Sequence, residues 1–348
     1  LPGIGRASFL KLVTAYGSPR EAWTQTDGAW IAGGYVRTGF HSVGRRDPAV
    51  AWARQQIDAL DKSDWSLILL GTEQYPAALT QLHHPPPFLF ARGTGFGDPA
   101  IGIVGGRRAT PYGLKVTRQF AADLAAAGVT VVSGFARGID TAAHQSALEA
   151  GGKTVAIWGC GPDIVYPAEN RSLVDRVAES GMLITEFPFG TPPENHNFPI
   201  RNRLIAALSD GVLVSQARSR SGALLTARHA IEQNKDVFVI PGEVGDQQFV
   251  GSHELLKEGA RLVTDAADIL ADLGLRQVAP RSTPAVKLPS MSDLERRVYD
   301  QVGGSPCHID RLAISLGLPV GECARVLVTL ELKGLIQQTP GNMISRLV

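Results

Sequence analysis

Apolar residues change their spacing twice along this chain. Over residues 1–62 they recur at helical intervals, as in Ser8–Tyr16 after the LPGIG opening, and predict a small N-terminal helical (SAM or helix-hairpin-like) module. Gly3 and Gly5 read as a tight turn for packing, although such a turn at a helix N-terminus can also offer backbone N–H groups to phosphate. Over residues 63–275 short runs rich in Val and Ile alternate with helical segments. The runs are Ile101–Val104, Val129–Ser133, Thr154–Trp158, Met182–Thr185, Val212–Ser215, Val237–Ile240 and Arg261–Thr264. The helical patterns between them are Leu114–Ala127, Asp140–Ala150, Ala168–Glu179, Arg203–Leu208, Leu224–Gln233 and His253–Lys257. Strands apolar at nearly every position are strands covered on both faces. The fold class expected is therefore α/β, a doubly wound Rossmann-like parallel sheet. Two further runs, Ser66–Leu70 and Phe88–Phe90, extend the sheet or pack at its edge.

Residues 276–290 hold three prolines and few apolar side chains, and read as a linker. Beyond it, residues 291–348 predict helices over Asp293–Val302, His308–Leu316 and Val320–Lys333. Two short strands follow around Pro340-Gly341-Asn342. Three helices and a hairpin make a winged helix, a relative of helix-turn-helix. The third helix shows solvent Glu322, Arg325, Thr329, Glu331 and Lys333, a mixed face rather than a basic one. Groove binding leans on phosphate neutralisation, so a protein contact or weak contact with double-stranded DNA fits better than sequence-specific readout.

Composition narrows the picture. With 348 residues, 44% hydrophobic and 19% charged, the chain is globular and large enough for two or three domains. A net charge of +1 means that a polyanion must be held by a local patch. Cys160, Cys307 and Cys323 share no metal-ligand spacing, which suits a reducing, cytoplasmic setting without a disulfide framework. No apolar run reaches the length of a membrane span, so no membrane partner is expected. The opening LPGIG, without Met or a basic-then-apolar leader, reads as a trimmed start rather than a processed signal peptide.

Candidate chemistry gathers where the strands end, the edge at which open α/β sheets bind ligands. Gly105-Gly106-Arg107-Arg108 follows the first parallel strand. Ser133-Gly134 and Ala136-Arg137-Gly138-Ile139-Asp140 follow the second, and Gly159-Cys160-Gly161 the third. After the fourth comes Phe198-Pro199-Ile200-Arg201-Asn202-Arg203, three polar forks at the mouth of an apolar helix after a turn-forming proline. Arg218-Ser219-Arg220-Ser221-Gly222 follows the fifth, with Thr226 one turn later. Each loop alone has an ordinary reading, as a connection, a solvated arginine pair or a helix cap. Together they form one anion-binding edge in which Phe135, Tyr166 and Phe198 are interleaved with arginines. Arginines hold phosphates and rings stack bases, so the pattern suits a nucleic-acid strand.

A dinucleotide enzyme is the obvious rival. After the first strand, however, there is Gly-Gly-Arg-Arg and no G-x-G-x-x-G, and the second strand ends in Ser133-Gly134 rather than an acidic residue. Asp163, His144 and Glu186 are not paired at a spacing that implies acid-base work, and Cys160 has no evident base partner. His83-His84 and His196 lack metal-ligand spacing. No metal, cofactor or catalytic group is therefore expected. The alternative is a Rossmann-like nucleotide or phosphoribosyl hydrolase. Such sheets carry P-G-G-x-G-T-x-x-E where this chain has SGALLTARHA, which lacks the Glu.

The runs VSGFARGIDTAAHQSALEAGGKTVAIWGCGPDIVYPAEN, FPIRNRLIAALSDGVLVSQARSRSGALLTARHAIEQNKDVFVIPG and GSHELLKEGA closely resemble the DNA-processing protein A (Smf) family over about residues 65–275. The flanking helical module and winged helix fit that family's three-part architecture. The resemblance implies a non-enzymatic single-stranded-DNA-binding protein of natural transformation, which protects incoming strands and helps load the RecA recombinase. It maps a G-x-R loop to Gly105-Gly106-Arg107, an SGxARGID loop to Ser133–Asp140, including Arg137 and Gly138, and a Gly-Gly-Lys to Lys153. It maps FPxRNR to Phe198–Arg203 and SGxLxTA to Ser221–Ala227. It also implies a homodimer through the end of the sheet domain, around His253, Leu255 and Leu256, which would lengthen the basic surface. Gly106 stands where a hydroxyl residue is common, so one side-chain phosphate contact is absent. The winged helix is not universal in the family.

Overall fold

The computed structural model describes residues 1, 3–275, 289–303, 307–339 and 341–346. The linker expected over 276–290 lies outside the described residues except for its last two positions, as does Pro340 of the expected terminal turn. The chain divides into two compact units, Leu1–Gln277 and Val278–Val348.

The first unit opens with four helices: α1 (Arg6–Tyr16), α2 (Pro19–Thr24), α3 (Asp27–Ala32) and α4 (Arg46–Asp61). Ser18 and Thr26 cap α2 and α3 by accepting from the Glu21 and Ala29 N–H groups, which answers two helix-end donors. Leu12, Ala22, Trp30, Val36 and Phe40 form the module's own small core. Arg46 fastens its outer side. The guanidinium lies 5.2 Å from the rings of Trp23 and Trp30 and donates to the carbonyls of Trp23 and Gln25.

Next come β1 (Ser66–Leu69), α5 (Ala77–Thr80), β2 (Phe88–Gly93), β3 (Ala100–Gly105), α6 (Pro111–Ala126) and β4 (Thr130–Ser133). They are followed by α7 (Ile139–Glu149), β5 (Thr154–Ile157), α8 (Arg171–Ser180), β6 (Met182–Thr185), α9 (Asn197–Ala207) and β7 (Gly211–Gln216). The unit ends with α10 (Gly222–Glu232), β8 (Asp236–Val239), α11 (Val250–Lys257), β9 (Arg261–Leu262) and α12 (Ala266–Asp272). The strands make one sheet in the order β1-β2-β6-β5-β4-β3-β7-β8-β9. From β6 to β9 every pairing is parallel; β2 runs antiparallel to β6, and β1 antiparallel to β2. The two early apolar runs thus extend the sheet as an antiparallel edge. Separate apolar cores cover its two faces. One packs Leu204, Ile205, Ala206 and Ala207 of α9, with Leu208 at its C-cap, and Ala227 and Ala230 of α10 on the sheet; the other packs Phe120 and Leu124 of α6, Ala143 of α7 and Ile269 of α12. Layers on both faces are why β4, β5 and β7 are buried at every position.

The second unit contains α13 (Asp293–Gln301), β10 (Cys307–His308), α14 (Ile309–Leu316), α15 (Val320–Leu332), β11 (Ile336–Thr339) and β12 (Met343–Arg346), with antiparallel strand order β10-β12-β11. Val298, Leu312, Cys323, Leu327 and Leu330 join its three helices around one core. It is a winged helix. Ser292 and Glu295 form a capping box at the start of α13.

Candidate nucleic-acid interface

From β3 the sheet is built outward in both directions, with β4 on one side and β7 on the other. At such a switch point the loops leaving the two strands part, and a crevice opens beyond their carboxyl ends. Here it is a cleft of about 290 Å³. Gly105 and Arg107 reach it from β3, and Ala136 and Asp140 from the loop after β4. Phe198, Arg201 and Asn202 come from α9, and Ser221, Gly222 and Thr226 from the start of α10. Ser221 caps α10, its hydroxyl accepting from the Ala223 N–H at 3.3 Å, so the positive end of that helix dipole faces the cleft mouth.

Arg107 is exposed, and its guanidinium carbon lies 4.7 Å from the centroid of the Phe198 ring. Tyr166 packs beside Phe198 with centroids 5.8 Å apart, and Arg137 lies 5.8 Å from the Tyr166 ring. Two adjacent rings, Phe198 and Tyr166, therefore sit between Arg107 and Arg137 along the edge, whereas Phe135, the third ring expected there, is 1% exposed and packs in the core. Gly159 makes room for this: a Cβ there would sit 2.8 Å from Phe198 Cδ1. Gly138, at φ +78°, lets the loop after β4 pass backbone to backbone against the loop after β3. A Cβ at Gly138 would run into the Gly106 carbonyl and lie 2.8 Å from the Arg107 carbonyl oxygen.

Beneath the cleft lies a buried acid-base layer. Arg201 is 3% exposed; its Nη1 donates to the Ile157 carbonyl at 2.5 Å, and its charge is balanced by Asp140. Burial pushes the Asp140 carboxyl up to about 6, against the pull of Arg201 and the Ala136 N–H at 3.2 Å. Burial lowers the Arg201 guanidinium to about 10 and the His144 imidazole to about 3. His144 Nδ1 bonds Thr154 Oγ1 at 2.6 Å. The Cys160 thiol faces the Ile164 carbonyl and is pushed up to about 12 by burial, so it is not a thiolate. Glu186, after β6, is held by Arg203 at 2.6 Å and by Arg6 of α1 at 2.7 Å. Burial raises its carboxyl above the ordinary range, against the pull of both arginines.

These placements revise several sequence expectations. The helix expected from Arg203 begins at Asn197, so Arg201, Asn202 and Arg203 lie within α9 rather than in a loop at its mouth. Pro199 is its third residue, a position where no intrahelical donor is lost and the proline does not break the helix. Arg201 is consequently turned inward and is not an external phosphate fork. Arg203 is committed to Glu186 and the His84 carbonyl, and Asn202 to the Gly222 carbonyl. Ser133 is fully buried, its hydroxyl bonded to the Ile103 carbonyl. Lys153 precedes β5, at the amino ends of the parallel strands and thus at the opposite end of the sheet from the cleft. A four-residue strand separates the two ends by about 13 Å. Leu255 is 3% exposed and belongs to the core, so it offers no dimer surface. Leu256 is partly buried on that core, and His253 bonds the Gly242 carbonyl beside Phe249.

The structure therefore brings together Gly105, Arg107, Phe198, Ser221, Gly222 and Thr226. It sets Gly106 and Arg108 in an adjoining groove and leaves Arg137 exposed but paired with Glu169 at 2.8 Å. That groove also holds Arg218 and Arg220 of the loop expected on the anion-binding edge, and Gln248, which the sequence does not point to. The Arg-Ser-Arg spelling at 218–220 carries that signal in the sequence; Gln248 carries none.

A family model for the DNA recombination-mediator protein A matches residues 66–274. The chain belongs to that family. The DprA winged helix domain model matches residues 279–342. Among relatives of this recombination-mediator family, Protein Smf of Escherichia coli (strain K12) is 37% identical over 307 residues, 85% of this chain and 82% of that protein. A putative DNA processing protein DprA of Mycobacterium tuberculosis is 41% identical over 292 residues, 81% and 75% of the two chains. The X-ray structure of DNA processing protein A from Streptococcus pneumoniae superposes with a TM-score of 0.64 at 34% identity. It covers 78% of this chain and 94% of that one. DNA processing protein A from Helicobacter pylori, described with a unique single-stranded DNA binding mode, gives 0.54 at 31% identity, covering 60% and 95%.

Proposed function

We propose that this recombination-mediator family member binds single-stranded DNA along the carboxyl edge of its sheet. Arg107 and the α10 N-terminus take backbone phosphate, and Phe198 and Tyr166 offer faces to bases. The observation that carries the reading is the Arg107–Phe198 pair at the switch point, a guanidinium and a ring presented together at a cleft mouth. The single-stranded DNA binding described for the Helicobacter pylori relative supports it. The role is binding rather than catalysis: the buried protonated thiol of Cys160, the buried and weakly basic His144 and the doubly paired Glu186 supply no activated nucleophile or accessible base. In the same proposal the protein is cytoplasmic, acts in natural transformation with the RecA recombinase, and forms a homodimer near His253 and Leu256. The winged helix serves as a separate contact module. The divisions at residues 62, 275 and 290 are the module boundaries.

Binding of a labelled oligonucleotide across a salt series tests the reading. Affinity should fall steeply with salt, and Arg107→Ala should weaken binding to strands of unrelated sequence alike. Parent-like binding by Arg107→Ala would sink the assignment. Release of free base from nucleotides by the purified protein would revive the hydrolase alternative.

A further inference from the structure

The arginines of the edge divide by partner. On the β4–β6 side Arg137 is paired with Glu169, and Arg203 with Glu186, while Arg201 is buried. On the β7 side Arg107, Arg108, Arg218 and Arg220 enter no ion pair among the described residues, and all four are exposed. These four line a groove of about 320 Å³ next to the switch-point cleft and share Arg107 and Ser221 with it. Among the described residues only Arg107 of the four feels a nearby carboxylate, the buried Asp140, and four like charges gathered in this way are a configuration that an anion stabilises.

Three further features show that the groove is built. Arg218 Nε donates to Gln248 Oε1 at 2.7 Å, which fixes one guanidinium while leaving its terminal nitrogens available. Arg220 holds φ +60°, a conformation that side chains other than glycine seldom adopt. Gln216, 1% exposed, also lines the groove. Its Oε1 accepts from the Thr110 N–H, but its buried Nε2 has no partner among the described residues. A buried donor without an acceptor costs free energy.

We infer that the Arg108–Arg218–Arg220 groove is a second phosphate subsite. It takes the phosphate next to the one held at the switch-point cleft and carries the strand toward β8. The inference rests on the proposed single-stranded DNA binding and adds a direction to it: the strand leaves the cleft over the unpaired arginines, away from Arg137.

The test is an anisotropy titration of the full chain with a labelled oligothymidylate at several salt concentrations. Four proteins are compared: parent, Arg107→Ala, Arg218→Ala/Arg220→Ala, and a control that removes the same charge elsewhere, Arg118→Ala/Arg176→Ala. Melting curves confirm that each is folded. The groove pair should lose about tenfold in affinity at low salt, and its slope of log affinity against log salt should flatten by about 0.7 for the lost phosphate. The control should keep the parent slope. A groove pair that keeps the parent slope, or a control that flattens equally, overturns the subsite. If Arg107→Ala still loses affinity, single-stranded DNA binding itself stands; if Arg107→Ala is also parent-like, that reading falls as well.

Discussion

Arg107 lies over the face of Phe198, 4.7 Å from the ring centroid, although 91 positions separate them in the chain. In the proposed binding mode the two make separable contributions. Phe198→Ala removes a stacking face and no charge, so oligothymidylate affinity should fall about tenfold with an unchanged salt slope, stacking being worth about 1–3 kcal/mol per base. Arg107→Ala should instead flatten the slope by about 0.7. A Phe198→Ala variant with a flattened slope would refute this division of labour.

Arg201 serves the fold rather than the ligand. Arg201→Ala leaves the Asp140 carboxylate buried without its cation, and should cost about 3–5 kcal/mol in urea unfolding. The double variant Arg201→Ala/Asp140→Ala should cost less than the sum of the single changes, because neither charge is then stranded. Additive costs would show that the two groups do not interact.

Asp140 and His144 impose opposite pH dependences. The native state holds the Asp140 proton up to about pH 6 instead of 3.8, so acidification through that window adds stability. Native His144 stays neutral down to about 3 instead of 6.5, so acidification below 6.5 removes stability as the unfolded chain takes up the proton. From pH 7 to pH 5 the histidine should remove about 2 kcal/mol and the aspartate return about 1 kcal/mol. Denaturant midpoints of His144→Gln should therefore rise over that range and those of Asp140→Asn fall more steeply than the parent's. The same slope in both variants would contradict the assignment.

Glu186 ties the N-terminal module to the sheet, and the cost of breaking the tie depends on which residue is removed. Glu186→Ala strands Arg203, whose side chain is 15% exposed, and should cost about 3 kcal/mol. Arg6, at 34% exposed, keeps water, so Arg6→Ala should cost about 1 kcal/mol or less. Chemical denaturation measures both; equal costs would mean that burial does not set the difference.

The sheet is legible because its central strands are apolar at nearly every position, a local signal that needs no knowledge of neighbours. The start of α9 is hidden in the sequence because Pro199 reads as a turn, whereas the first turn of a helix accepts proline. That shift of six residues turned Arg201 from surface to core. Its partner Asp140 lies 61 positions away, and no spacing in the sequence announces such a pair. Lys153 shows the converse: a cation in a family motif can sit at the wrong end of a strand for the cleft, which only the direction of β5 reveals.

At Gly138 the loops after β3 and β4 meet main chain to main chain, without side chains between them. Side chains can change rotamer to admit a guest; a backbone junction of this kind cannot. The floor of the cleft is thus preformed, and conformational adjustment on binding falls to the flexible strand. Under the proposed binding mode, tolerance for varied base sequence then needs no loop movement: a fixed track would be offered, and the strand would bend to follow it.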